Sequence, residues 1–125
     1  MLDAGVPASV GHSLKELGQE VVFYNDVLAE SASDMVVAMT ALANDAVLLA
    51  IDKDLRRIAR KYGETPQDER FSKLNLIHFC CDEVLASKRV EHAFSFIQAE
   101  WAFCLEKRSR RMWVEIGAHH LKTFR

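Results

Sequence analysis

Asp3, Asp34, Asp52 and Asp54 stand where a divalent cation would be held. Each follows or adjoins the junction of an expected strand or turn with a helix. The densest pair lies in Val47-Leu48-Leu49-Ala50-Ile51-Asp52-Lys53-Asp54-Leu55. There an apolar run delivers two carboxylates into a turn, and a basic segment follows at once. Carboxylates brought together repel unless a cation sits between them. Hard ions such as Mg²⁺ take oxygen ligands and bridge phosphates. Two such ions can clamp the attacking and leaving oxygens of a phosphodiester. Arg56, Arg57, Arg60 and Lys61 begin two residues after the acidic pair, where a phosphate backbone would pass. Such contacts position a nucleic acid without reading its sequence.

The elements that must place these groups alternate. Asp3 follows Met1-Leu2 as if a strand had just ended. Ser9–Leu17 reads as a helix, and Gly18 suits the left-handed residue that stops one. Glu20–Tyr24 is a short β-rich run, and Asn25–Ala32 reads as a loop. Ser33 caps the next helix, with Asp34 in its first turn, where the helix dipole favours negative charge. Ala46–Ile51 has the continuous apolar pattern of a strand buried on both faces. Asp54–Lys61 is a short basic helix ended by Gly63, and Glu64–Arg70 a polar loop around Pro66.

Leu74–Phe79 is a second apolar strand. A long helix follows from Asp82 or Ser87, with Val90, Phe94, Ile97, Trp101 and Leu105 at 3.6-residue spacing. Arg111–Ile116 alternates, with Met112, Val114 and Ile116 on one face, and His119–Phe124 reads as a final strand. This order predicts an α/β fold, one domain over residues 1–125, with a mostly parallel sheet and helices on both faces. Sites in such sheets lie beyond the carboxyl ends of the strands. Asp3, Asp52 and Asp54 follow strands and would converge there. These three are the expected metal ligands, and Asp34, reaching the same edge from a helix start, borders their cleft.

The chain has 125 residues, enough for one core. Lys and Arg number 16 and Asp and Glu 18, a net charge of −2, so any phosphate-binding surface must come from local clustering. A second basic cluster, Lys107, Arg108, Arg110 and Arg111, reads as a solvated helix end. No apolar run reaches the ~18 residues of a membrane span. The N-terminus lacks a secretory pattern. Cys80, Cys81 and Cys104 lack metal-site spacing and read as reduced thiols, so a cytoplasmic location without membrane partners is expected.

Four segments resemble a known family. Leu2-Asp3-Ala4-Gly5-Val6-Pro7 is similar to the opening of small PIN-like proteins, where a strand ends in Asp-Ala/Glu-x-x-Pro. Leu17–Val22 resembles their next strand entry, Ala32-Ser33-Asp34 the Ser-Asp that opens the following helix, and Leu48–Leu55 their Leu-Leu-Thr-x-Asp-x-Asp-Phe block. The resemblance runs from residue 2 to about 61. Ala50 stands where that family has Thr, and Leu55 where it has an aromatic. The resemblance implies a PIN-like three-layer sandwich and a Mg²⁺- or Mn²⁺-dependent ribonuclease. It implies Asp3, Asp34, Asp52 and Asp54 as the acidic cluster, and a toxin acting on RNA and paired with a small antitoxin protein.

Other readings of the same residues stay open. Asp52 serves equally as a helix cap, and Asp54 as a charge at the helix's positive end. Asp52-Lys53-Asp54 also matches the Asp-x-Asp of aspartyl-phosphate phosphatases, which need a further acidic pair; Asp82-Glu83 is an adjacent pair downstream. A non-catalytic interaction module of the same fold is a third reading. His78 alternates into an apolar strand and reads as a hydrogen-bonded core residue. His119 and His120 could bind a metal but have no other ligand at useful spacing, and they read as loop or strand residues. Phe96 and Phe103 are seven apart on the long helix, offset from its apolar stripe. That second face predicts a homodimer or a groove for a partner helix.

Overall fold

The computed structural model describes residues 1–60, 68–106 and 111–124. Lys61, Gly63, Glu64, Pro66, Lys107, Arg108 and Arg110 lie outside them. In chain order the elements are α1 (Ala8–Glu16), α2 (Tyr24–Val27), α3 (Asp34–Ala43), β1 (Leu48–Ala50), α4 (Lys53–Arg60), a 3₁₀ helix (Asp68–Lys73), β2 (Leu76–Cys80), α5 (Glu83–Glu106), β3 (Trp113–Gly117) and β4 (Leu121–Thr123).

The sheet runs β1-β2-β3-β4. β1, β2 and β3 are parallel, and β4 returns antiparallel to β3. Leu2 extends the sheet by a parallel bridge to Leu49. The Asp3 amide donates to the Leu49 carbonyl at 2.9 Å, and the Leu49 amide donates to the Met1 carbonyl at 2.9 Å. Leu2 thus does a strand's work over very few residues, which sets Asp3 beside the end of β1.

Side chains alternate across the pleat and feed two cores. Leu49, Ile77, Phe79, Val114 and Ile116 pack with α1 and α5. Leu48, Ala50, Leu76 and Trp113 pack with α3, α4 and the 3₁₀ helix. Helices therefore cover both faces, the arrangement that hydrophobic runs in a parallel sheet require. Gly18, at φ 84°, ends α1 as expected. The Ser33 hydroxyl accepts from the Val36 amide at 3.3 Å and caps α3.

Three local expectations change. Glu20–Tyr24 is not a strand. Its Val22 carbonyl accepts from the Leu2 amide at 2.9 Å, but Tyr24 already opens the one-turn helix α2 within the expected loop. On α5 the buried positions are Ala86, Val90, Ala93, Ile97, Glu100 and Cys104, while Leu105 is 64% exposed. Small Ala86 and Ala93 let α5 approach closely, which rotates the buried stripe away from Leu105. Phe96 packs partly buried against the α1–α5 core, so the second aromatic face is smaller than its spacing implied. Among the described residues, no helix is long and apolar enough to cross a membrane.

Candidate functional site at the carboxyl edge of the sheet

Parallel β1, β2 and β3 end at one edge, and the amino ends of α3 and α4 open onto it. Asp52 follows β1 directly, and the α4 first turn carries Asp54. Asp34 enters from the first turn of α3. Asp34, Asp52 and Asp54 each offer a carboxylate oxygen within 4.8 Å of the others'. Asp34, rather than Asp3, completes this close trio. Asp3 sits behind it, 8% exposed, near enough to feel the charges of Asp34 and Asp52.

The electrostatics follow from that crowding. Burial pushes the Asp3 carboxyl up. The Ala4 and Gly5 amides pull it down, and the charges of Asp34 and Asp52 push it up again. Asp34 is also pushed up, by burial first and then by Asp52 and Asp54. Two groups also have local roles. Asp52 Oδ1 accepts from the Asp54 amide at 2.9 Å, so Asp52 caps α4. Asp54 pairs with Arg57 at 3.0 Å, one turn on; both side chains are largely exposed, so the pair contributes little stability.

The basic residues of α4 divide. Arg57 is exposed beside the trio. Arg56 folds inward, its Nη2 3.1 Å from Glu115 Oε2. Arg60 lies over the Trp113 ring at 5.8 Å. The burial of Leu55 and Ala59 anchors the helix and sets these directions. Only Arg57 among the three described residues of this set is both exposed and beside the carboxylates.

Sequence reasoning missed a second polar group beside the first. Ala50, His78 and Glu115 are register partners across β1, β2 and β3, on the α4 side of the sheet. His78 is 2% exposed and Glu115 5%. His78 Nδ1 lies 3.2 Å from Cys80 Sγ. His120 Nε2 lies 3.5 Å from Glu115 Oε1. One atom each of His78, Cys80 and Glu115 lie within 4.8 Å of one another. Burial lowers the pKa of His78, as does the Arg56 charge; Glu115 and the nearby Asp52 backbone oppose this. Burial would raise Glu115, but Arg56, His120 and Cys80 outweigh it and hold the carboxyl low. Burial raises the Cys80 thiol, and the Glu115 charge adds to that. The signal for this group was a His and a Glu at inward positions of strands; their adjacency depends on register, which no local pattern carries.

A cavity of about 750 Å³ lies at the opposite, amino end of the sheet, lined by Met1, Val47, Phe94, Ile97 and Trp101 among others. None of the four aspartates lines it. The carboxyl edge is the better candidate, because the ionisable groups converge there and the cavity is mostly apolar. No family model, curated protein or solved structure matches the chain.

Proposed function

We propose that the protein is a Mg²⁺- or Mn²⁺-dependent ribonuclease with a PIN-like sandwich, acting in the cytoplasm as the toxin of a toxin–antitoxin pair. The observation that carries this reading is the trio of Asp34, Asp52 and Asp54 at the carboxyl edge of a parallel sheet. The donor set fits the ion. All three donors are carboxylate oxygens, and neighbouring oxygens on a Mg²⁺ at ~2.1 Å stand roughly 3 Å apart, so small side-chain rotations close the trio. Asp52 caps α4 through one oxygen and keeps the other for an ion. Bound there, the ion supplies a water of lowered pKa and offsets charge developing on the phosphate.

The chain's own residues do the positioning. Asp3 holds the negative field of the site from a buried place behind the trio. The α3 and α4 amino ends partly offset that charge. Arg57 contacts the RNA backbone, while Arg56 holds Glu115 and steadies α4 against β3. The partners on this reading are RNA and a small antitoxin protein, with a homodimer formed through α5.

A non-catalytic PIN-like module is the second reading. The cap made by Asp52 and the Asp54–Arg57 pair favour it, since both acids then have structural work. RNA cleavage by purified protein in Mn²⁺ separates the two. Cleavage that disappears with chelator and in Asp52→Asn supports the nuclease. Cleavage surviving both, or no cleavage of any RNA in Mn²⁺ or Mg²⁺, sinks it.

A further inference from the structure

We propose that His78, Cys80, Glu115 and His120 form a zinc-class metal site that clamps β2, β3 and the β3–β4 turn together. These four residues lie apart from the aspartate trio and offer nitrogen, sulfur and one oxygen. Such a mixed, softer set suits Zn²⁺ rather than Mg²⁺.

The geometry comes first. Tetrahedral Zn²⁺ with Zn–N near 2.0 Å and Zn–S near 2.3 Å sets its ligand atoms roughly 3.3–3.6 Å apart. His78 Nδ1 and Cys80 Sγ are 3.2 Å apart, and Glu115 Oε1 and His120 Nε2 are 3.5 Å apart. His78 and Cys80 stand on β2 and Glu115, the register partner of His78, on the adjacent β3; these three lie mutually within 4.8 Å, and His120 of the β3–β4 turn joins them through Glu115.

The surroundings look built. The His120 ring lies over Gly117, in space that any Cβ at 117 would enter. Glycine at this strand end is therefore what lets the imidazole reach Glu115. Arg89 of α5 holds the turn in place. Its Nε donates to the Gly117 carbonyl at 2.8 Å, and its Nη2 approaches the His120 carbonyl at 3.5 Å. Arg56 holds Glu115 Oε2 from the other side and leaves Oε1 facing His120. A charged partner of this kind fixes the orientation of a ligating carboxylate.

Polar atoms beside the ligand atoms, though not the ligand atoms themselves, are left unmet. His78 Nε2 and Arg56 Nε are buried and make no hydrogen bond among the described residues. Glu115 Oε2 is ion-paired but outside hydrogen-bond geometry. The Asp52 backbone does lie within hydrogen-bonding reach of the His78 ring, which leaves Nδ1 for a metal. Entry is open, since Cys80 is exposed and the His120 side chain is 44% exposed.

The test is metal titration of the full, reduced, metal-free chain. Co²⁺ should fill one thiolate site per chain, read by a thiolate-to-metal charge-transfer band and intense tetrahedral visible bands, apart from any Co²⁺ taken up by the aspartate trio. Zn²⁺ should displace it. Cys80→Ser should abolish the charge-transfer band and weaken Zn²⁺ binding by roughly 100-fold; His120→Ala should weaken it by at least ~10-fold. Cys81→Ser and Asp52→Asn should leave both readouts unchanged. Both Cys80 and His120 are exposed, so the variants should fold, and circular dichroism checks that. Absence of a charge-transfer band, a band that survives Cys80→Ser, or Zn²⁺ binding lost in Asp52→Asn but kept in Cys80→Ser would each overturn the site.

Discussion

The ring of His120 occupies the place that a side chain at Gly117 would need. The two residues are joined again by the backbone, where the Gly117 amide donates to the His120 carbonyl at 2.9 Å. A methyl group at 117 must therefore push the imidazole off Glu115. The ring is half-exposed and free to swing outward, so Gly117→Ala should lower stability by no more than ~1 kcal/mol. That cost should vanish when His120 is already Ala. Urea unfolding of the two single variants and the double variant measures the coupling. An equal cost in both backgrounds would show that the ring is not what Gly117 accommodates.

Asp3 should make the chelated protein lose stability as pH rises. Its folded-state pKa is raised, so the folded state holds its proton to higher pH than the unfolded state. Stability from that difference is fully present below the unfolded value of about 3.9 and is lost as pH climbs through the folded value. Asp34 acts in the same direction. Asp3→Asn should therefore raise Tm at pH 7, by an amount worth roughly 1 kcal/mol or less, and change it little near pH 3. For wild type, Mg²⁺ at ten times its Kd should add about 1.4 kcal/mol at pH 7. A Tm of Asp3→Asn below that of wild type at pH 7 would mean that the carboxylate's bonds to the Ala4 and Gly5 amides outweigh the repulsion.

Arg57→Ala should weaken RNA binding and flatten its salt dependence. One lost phosphate contact lowers the slope of log K against log salt by about 0.7 for single-stranded RNA. Because the Arg57–Asp54 pair is exposed, folding stability should move by less than ~0.5 kcal/mol. Fluorescence anisotropy over a salt series is the measurement. An unchanged slope would remove Arg57 from the RNA path.

The proposed homodimer through α5 rests on the carboxyl-terminal part of that helix. Phe103 is half-buried and Leu105 is 64% exposed, while Phe96 already packs on the core. Leu105→Glu should convert a dimer to a folded monomer, read by light scattering together with circular dichroism. Wild type that stays monomeric at high concentration would count against the homodimer.

The sequence by itself determined the alternation of strands and helices, the cap at Ser33 and the stop at Gly18. These depend on local chemistry: pleat alternation, a hydroxyl before a first turn, a residue tolerant of positive φ. It also placed Asp52 and Asp54 after a buried strand, because an apolar run that ends in acids marks a strand edge. Tertiary structure decided what lies beside what. Asp34 joined the close trio while Asp3 went behind it, because α3 brings its amino end to the same edge. Arg56 turned inward because Glu115 stands on β3. His78, Cys80, Glu115 and His120 came together only through the parallel register of β2 with β3 and the return of β4. Register is a long-range property set by which strands pair, whereas each strand's own pattern reports only which of its residues face inward.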